Sequence, residues 1–195
     1  MPNGSVRPSS ADSLRREIAP GDGADGEQTR HRETAPAISV LTPVLNEEQS
    51  LETLCEEVTE ALSGNGEENF EIIFVDDGST DASWAKIVDL VDRDPRIRGI
   101  RLRRNFGKAV ALATGIERAR APILITMDSD LQDNPKEIPR FLSMLEEGFD
   151  LVCGWKKDRH DPITKTAPSS LFNAAVRAIT GIRLHDFNCC YKAGL

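Results

Sequence analysis

Two aspartates separated by one residue follow a short apolar run. Asp128 and Asp130 come directly after residues 123–127, and Gln132 lies two positions further along. Such a run is typical of a strand that is buried on both faces. Because alternate side chains of an extended segment point the same way, the two carboxylates can meet at one divalent cation, with the amide oxygen of Gln132 as a further candidate ligand. An ordinary turn after a strand can contain the same residues, and the pair alone favours neither interpretation.

A second acidic pair lies at the end of another apolar run. Asp76 and Asp77 follow residues 70–75, and Gly78 and Ser79 come next. Carboxylates there can accept hydrogen bonds from the base or ribose of a nucleotide, and the start of a helix offers free backbone N–H groups. In the alternative interpretation these residues only cap the helix, and the motif alone favours capping.

Polar residues follow two further predicted strands. Asn46 and Glu47 come after residues 38–42, and Lys108 comes after residues 97–102, in a segment with two arginines and a glycine. Acidic residues therefore follow three of the predicted strands, and a basic segment follows a fourth. The combination predicts a crevice for a nucleotide and a metal ion, with Lys108 near a diphosphate.

These motifs are positioned by a regular alternation of strands and helices. The predicted strands are residues 38–42, 70–75, 97–102, 123–127 and 149–153, and the predicted helices are residues 47–62, 80–92, 107–118, 135–147 and about 168–180. Such alternation predicts an α/β fold with a doubly wound, mainly parallel sheet, helices on both faces and a ligand crevice along one edge.

The composition is that of one folded domain with a polar tail. The chain has 195 residues, and its formal net charge of −8 does not favour nucleic acid as a partner. We predict a disordered tail over residues 1–36, with one weak helical patch at 10–19, and a folded domain over residues 37–195. Four cysteines without a C-x-x-C pair, and no apolar stretch long enough to cross a bilayer, lead us to expect a cytoplasmic protein.

Four motifs in this order resemble those of the family 2 inverting glycosyltransferases, which have the GT-A fold. They are Pro43-x-x-Asn46-Glu47, Asp76-Asp-Gly-Ser-x-Asp81, Arg104-Asn-x-Gly-Lys108 and Met127-Asp-Ser-Asp-Leu-Gln132. The chain is most similar to the branch that includes dolichyl-phosphate mannosyltransferase and bacterial polyprenyl-phosphate glycosyltransferases. The resemblance covers residues 38–191, and it is specific because the motifs occur in combination at strand ends.

The resemblance implies an enzyme of cell-envelope glycan synthesis that uses a UDP- or GDP-sugar as donor. It implies that Asp76 and Asp77 meet the nucleoside and that Asp128 and Asp130, with Gln132, hold Mg²⁺ or Mn²⁺ on the diphosphate. Such an ion would offset the negative charge that develops on the departing nucleoside diphosphate. The other donor-binding residues implied in this way are Pro43, Asn46, Glu47, Gly78, Ser79 and Lys108.

The implied acceptor is a polyprenyl (lipid) phosphate, which the enzyme would meet at the cytoplasmic face of a membrane. Arg159 would position this phosphate, because a guanidinium matches phosphate geometry. The phosphate oxygen is already anionic near neutral pH, so a strong general base is not required. Asp186 is either a base or a structural anchor.

The chain departs from the family pattern in two places. Family members usually continue well beyond the equivalent of Tyr191, whereas this chain stops at Leu195, so we expect a domain truncated at its C-terminus. Cys190 stands where the resemblance leads us to expect glycine, which would disturb a tight turn. The alternative function is therefore a catalytically inactive remnant that binds nucleotide-sugar.

Two other protein classes share single features with the chain. Phosphatases of the haloacid-dehalogenase type carry an Asp-x-Asp after their first strand, and phospho-receiver modules carry an acidic pair there. In this chain the Asp-x-Asp follows the fourth predicted strand and the acidic pair follows the second. Both classes are therefore disfavoured.

Overall fold

A computed structural model describes residues 35–154 and 190–194 and the backbone of residues 15–18. Within these ranges it contains seven strands, four helices and one 3₁₀ turn. The strands are β1 (Arg15–Ile18), β2 (Ile38–Val44), β3 (Phe70–Asp76), β4 (Ile97–Leu102), β5 (Ile123–Thr126), β6 (Leu151–Cys153) and β7 (Lys192–Gly194). The helices are α1 (Leu51–Ser63), α2 (Ser83–Arg93), α3 (Lys108–Ile116) and α4 (Ile138–Glu146), and the 3₁₀ turn Pro135–Glu137 precedes α4.

The seven strands form one sheet in the order β1-β4-β3-β2-β5-β7-β6. The four central strands β4, β3, β2 and β5 are parallel, whereas β1 and β7 pair with their neighbours in antiparallel fashion. The chain proceeds outward from β2 to β4 and then crosses to β5 on the other side of β2. The predicted α/β fold with a mainly parallel sheet is confirmed, and the direction of winding reverses between β2 and β5.

Helices cover both faces of the sheet because successive side chains of each buried strand point to opposite faces. On one face Ile72 and Phe74 of β3 belong to a core that includes apolar residues of α1, α2 and α4. On the other face Ile73 and Val75 belong to a smaller core with Ala111 of α3. All seven residues of β3 are buried, as the continuous apolar run predicts.

The amino-terminal edge of the sheet contains a buried ion-pair network around Glu71, the second residue of β3. Its carboxylate accepts hydrogen bonds from Ser39 Oγ at 2.6 Å, from Arg98 Nη1 at 2.7 Å and from the Arg120 backbone N–H at 2.8 Å. Arg120 Nε lies 3.0 Å from the same carboxylate. The network fixes the loop that leads from α3 into β5, and so helps to set where β5 enters the sheet.

Two strands differ from the sequence prediction. Residues 15–18 pair with β4 as a strand, from Arg15 opposite Leu102 to Ile18 opposite Gly99, where we predicted a helical patch within a disordered tail. The prediction was wrong there because pairing along the open edge of β4 supplies backbone hydrogen bonds that local sequence does not reveal. Strand β7 was not predicted either, since it is short and pairs with β5 and β6 from a distant part of the chain.

The first residues of two helices also differ from the prediction. Helices α1 and α2 begin at Leu51 and Ser83, a few residues later than predicted. The backbone N–H groups before them are used in contacts between the two segments, from Glu47 to Ser83 Oγ and from Ala82 to Glu48 Oε2. The predicted helix near residues 168–180 lies outside the described residues. Among the residues that are described, no helix combines the length and the apolar character needed to cross a bilayer.

Candidate functional site

A cleft of about 260 Å³ opens at the carboxyl ends of the parallel strands, where β2 and β5 diverge. Ligands of open α/β sheets bind at this kind of switch point. The cleft brings together residues from four segments that are far apart in sequence. Its lining consists of Pro43, Val44, Leu45, Glu47, Asp77, Lys108, Asp128, Ser129 and Asp130. Six of the predicted site residues are therefore in one place: Pro43, Glu47, Asp77, Lys108, Asp128 and Asp130.

Asp128 lies two residues beyond the end of β5 and is anchored from two sides. Its backbone N–H donates to Asp133 Oδ2 at 2.9 Å, and its carboxylate forms an ion pair with Lys108 Nζ. The Asp128 side chain is 22% exposed and that of Lys108 is 50% exposed, so both remain accessible from the cleft. Burial lowers the pKa of Lys108, but the hydrogen bond to Asp128 and the negative charge of that carboxylate outweigh it, and the pKa lies above its ordinary value.

Asp130 is exposed at the mouth of the cleft. Its Oδ1 accepts a hydrogen bond from the Gln132 backbone N–H at 3.1 Å, which closes a tight turn around Leu131. Leu131 has φ 60°, a left-handed conformation that side chains rarely adopt and that fixes the direction of the turn. The Gln132 side chain is exposed, and Gln132 is not among the residues that line the cleft.

The donor set of the cleft suits a hard divalent cation that is shared with a ligand. Asp128 and Asp130 present carboxylate oxygens, which Mg²⁺ and Mn²⁺ prefer. In the described part of the chain, no three or more His, Cys, Asp or Glu side chains are grouped to hold a metal ion. Asp128 and Asp130 would thus supply two ligands, and the rest would come from a diphosphate and water, as is usual for Mg²⁺ bound with phosphates.

Asp77 holds the loop before α3. Its two carboxylate oxygens accept hydrogen bonds from the backbone N–H groups of Phe106 and Gly107, both at 2.8 Å. Asp77 is buried, with 3% exposure, yet one side of it lines the cleft. It therefore links the end of β3 to the start of α3, and it positions Lys108, the next residue after Gly107.

Asp76 is fully buried behind the cleft. Oδ1 accepts a hydrogen bond from the Ser79 backbone N–H at 2.9 Å. Oδ2 lies 3.2 Å from Arg101 Nε, close enough for an ion pair but without the geometry of a hydrogen bond, so this buried oxygen has no hydrogen-bond partner among the described residues. In this conformation Asp76 shapes the turn after β3.

Asn46 and Ser79 connect the loops that follow β2 and β3. The Asn46 backbone N–H donates to Ser79 Oγ at 2.9 Å, and Asn46 Oδ1 accepts from the Thr80 backbone N–H at 2.9 Å. The Glu47 backbone N–H donates to Ser83 Oγ at 2.8 Å. These bonds hold Glu47 at the rim of the cleft, while Asn46 and Ser79 lie outside its lining.

Gly78 lies where the loop after β3 packs closely against the loop between β4 and α3. It has φ 78°, and a Cβ there would lie 2.6 Å from the backbone nitrogen of Asn105. A side chain at this position is therefore excluded on two grounds, conformation and space.

Sequence reasoning missed three residues that shape the site. Asp133 anchors Asp128, Ser83 anchors Glu47, and Arg101 pairs with Asp76. Asp133 lies in the loop already singled out, so its proximity to Asp128 was the available signal. The other two contacts join residues more than twenty positions apart, and they become visible only with the register of the sheet.

The predicted acceptor residues Arg159 and Asp186 lie outside the described residues. Cys190 is described, and its carbonyl accepts a hydrogen bond from Thr126 Oγ1. Burial, followed by the charge of Asp128, raises the pKa of the Cys190 thiol to about 12. Tyr191 then packs against Phe141, with 4.6 Å between the ring centroids, and attaches this end of the chain to α4.

Comparison with known proteins assigns the chain to a family. Residues 39–194 match the model for glycosyl transferase family 2. The dodecaprenyl-phosphate galacturonate synthase of Rhizobium johnstonii is 41% identical over 158 residues, which are 80% of this chain and 46% of that protein. The undecaprenyl-phosphate 4-deoxy-4-formamido-L-arabinose transferase of Shewanella sediminis is 36% identical, over 84% of this chain and 50% of that protein. The chain thus spans about half the length of the curated relatives it matches.

Solved structures share the fold. Glucosyl-3-phosphoglycerate synthase from Mycobacterium tuberculosis, in complex with Mn²⁺ and UDP-glucose, superposes with a TM-score of 0.58 at 26% identity, covering 82% of this chain and 56% of that one. A mannosyltransferase from Pyrobaculum calidifontis, in complex with GDP-mannose and Mn²⁺, has a TM-score of 0.55 at 22% identity, over 64% of this chain and 36% of that one. The sheet is therefore of the GT-A type. With most of its residues matched by the family model, the chain belongs to glycosyl transferase family 2.

Proposed function

We propose that this chain is a glycosyltransferase that moves a sugar from a nucleotide-diphospho-sugar to a polyprenyl phosphate, with inversion at the anomeric carbon. The observation that carries the proposal is the placement of Asp128 and Asp130 in the cleft at the switch point of a GT-A sheet. The names of the relatives support a polyprenyl phosphate as acceptor. The solved neighbour that holds Mn²⁺ and UDP-glucose supports a UDP-sugar and a divalent cation.

In this proposal Asp128 and Asp130 hold Mg²⁺ or Mn²⁺ against the donor diphosphate. The bound ion supplies Lewis-acid stabilisation for the charge that develops on the leaving group. Lys108 contacts the same diphosphate, while Pro43 and Glu47 line the pocket beside it. Asp76 and Asp77 meet the nucleoside, and Asn46, Gly78 and Ser79 lie in the loops beside them. Gln132 is a further ligand of the cation.

The acceptor half follows from the family resemblance. Arg159 would position the lipid phosphate, and Asp186 would act as a base or as an anchor. Because the phosphate is already anionic, its oxygen can attack the anomeric carbon from the face opposite the leaving group without prior loss of a proton. This attack would take place at a membrane surface, with residues 37–195 as the catalytic domain.

A transfer assay tests the proposal and its alternative, a remnant that binds donor without turnover. The 195-residue chain is incubated with polyprenyl phosphate, Mn²⁺ and radiolabelled UDP-glucose, UDP-GlcNAc, UDP-galacturonate or GDP-mannose. We expect label in the lipid fraction with at least one donor, and none with Asp130→Ala. Metal-dependent donor binding without label in lipid would support the remnant instead.

A further inference from the structure

Lys108 and Asp128 form an ion pair inside the cleft that the donor is proposed to enter. Lys108 is the first residue of α3 and Asp128 follows β5, so the pair bridges two sides of the cleft. Both side chains are partly exposed. The ammonium therefore contacts one of the two carboxylates assigned to the divalent cation.

The charges of the cleft make this contact significant. Among the described residues that line it, Glu47, Asp77, Asp128 and Asp130 carry negative charge and Lys108 alone carries positive charge. With one positive and four negative groups, the formal sum is −3, which repels a diphosphate unless a cation enters as well. An ammonium and a divalent cation repel each other, so each weakens the binding of the other to the same carboxylate.

Lys108 has the freedom to change partners. Its stem is flexible, its amine is a compact charge with three donors, and half of its side chain is exposed. The fixed part of the site lies elsewhere: Asp77 holds Phe106 and Gly107, and Asp133 holds the Asp128 backbone. The ammonium can therefore move within the cleft while the backbone around it stays in place.

We propose that Lys108 is an exchangeable counter-ion that neutralises Asp128 in the empty cleft and transfers to the donor diphosphate when a divalent cation binds Asp128. This inference rests on the proposed function. It predicts opposite effects of one side chain: Lys108 weakens the binding of a metal ion alone and strengthens the binding of a nucleotide diphosphate with metal. A lysine that only bound phosphate would leave the affinity for metal alone unchanged. A lysine that only stabilised the fold would strengthen both the binding of metal alone and the binding of nucleotide diphosphate with metal.

The test compares Lys108→Gln, which removes the charge, with Lys108→Arg, which keeps it. Binding of Mn²⁺ alone is followed by the electron paramagnetic resonance signal of the free ion, and binding of UDP and of GDP at saturating Mn²⁺ is followed by calorimetry. For Lys108→Gln we expect severalfold tighter binding of Mn²⁺ alone and about tenfold weaker binding of the nucleotide that the wild type binds, through the loss of one charge-assisted hydrogen bond. For Lys108→Arg we expect an affinity for Mn²⁺ alone close to that of the wild type.

The outcomes separate this inference from the proposed function. If the wild type binds neither UDP nor GDP in a Mn²⁺-dependent way, the proposed function and the exchange both fail. If it does, and Lys108→Gln binds Mn²⁺ alone no more tightly than the wild type, only the exchange fails. Thermal unfolding of both variants confirms that they are folded, which we expect because Lys108 is half exposed on the first turn of a helix.

Discussion

At the scale of residues, the carboxylates of the cleft region fall into two groups. Asp77 and Asp133 are buried and use their oxygens on backbone N–H groups. Asp128 and Asp130 are more exposed and keep carboxylate oxygens directed at the cleft, one of them paired with Lys108. This division separates the residues that build the site from those that can bind a cation.

Gly78 is constrained both by its positive φ and by the backbone of the neighbouring loop, which gives a prediction about stability. Gly78→Ala places a Cβ at φ 78° against the backbone of the neighbouring loop, so it should cost more than the roughly 1–2 kcal/mol of a left-handed alanine. Gly66→Ala is the matched control, because Gly66 has φ 84° and open space around it. Urea unfolding of both variants measures the difference, and equal destabilisation would contradict the account of this contact.

The hydrogen-bond partners of Asp76 and Asp77 could not be predicted from the sequence. Contact of Asp76 and Asp77 with the nucleoside stays a prediction, and the structure adds that three of their four carboxylate oxygens accept hydrogen bonds from backbone N–H groups. A sequence motif indicates which side-chain groups are present, whereas their hydrogen-bond partners depend on how the loop after β3 packs against the loop before α3. Asp128 and Asp130 were easier to predict, since a buried strand directs its following residues to the rim of the sheet.

At the scale of elements, Asp77 joins β3 to α3. Asp77→Ala removes the acceptor of the Phe106 backbone N–H, which should raise the amide exchange rate of Phe106 well above that of the wild type, whereas the Gly107 N–H keeps a second acceptor in Asn105 Oδ1. Hydrogen exchange followed by mass spectrometry on the peptide that spans the loop gives the measurement. Unchanged protection there would show that the loop is held by other contacts.

The network around Glu71 should make stability depend on pH. Its pKa is lowered from the ordinary value of 4.5, because hydrogen bonds from Ser39, Arg98 and Arg120 outweigh the opposing effect of burial. A lowered pKa means that this stabilisation is complete above pH 4.5 and is lost as the pH falls through the folded-state value. Glu71→Gln should lower the free energy of unfolding at pH 7 by about 3–5 kcal/mol, the typical cost of breaking a buried pair.

The difference between wild type and Glu71→Gln should then shrink as the pH falls below 4.5. Urea unfolding at several pH values provides the test. Glu52→Gln is the matched control, because Glu52 also pairs with an arginine but on the surface, where it should change stability little. A difference that stays constant across this pH range would argue against the network as the cause.

The elements were predictable to different degrees. Strands β2 to β5 were found from runs in which apolar residues predominate, because strands buried on both faces are typically rich in apolar residues. Strands β1 and β7 were not, since an edge or antiparallel strand of three or four residues gains its stability from pairing with distant segments. The later starts of α1 and α2 also depend on residues that are distant in sequence, because the backbone N–H groups of Glu47 and Ala82 donate to the side chains of Ser83 and Glu48.

At the scale of the whole molecule, the order of strands accounts for the site. Winding outward from β2 and then reversing to β5 leaves the loops after these two strands apart at one edge, and the cleft lies there. The family match extends to residue 194 and includes β7, which completes the sheet beside β5. The sequence pattern predicted this crevice because parallel strands alternating with helices admit few other arrangements.

The central claim is that Asp128 and Asp130 bind a nucleotide diphosphate through a divalent cation. Calorimetric titration of UDP-glucose, UDP-GlcNAc and GDP-mannose with and without Mn²⁺ tests it most directly, with Asp130→Asn and, as control, Asp89→Asn on the exposed face of α2. We predict that at least one nucleotide-sugar binds only with Mn²⁺, that Asp130→Asn weakens it by at least about tenfold, or about 1.4 kcal/mol, and that Asp89→Asn does not. Binding that needs no metal, or that Asp130→Asn leaves unchanged, would contradict the claim.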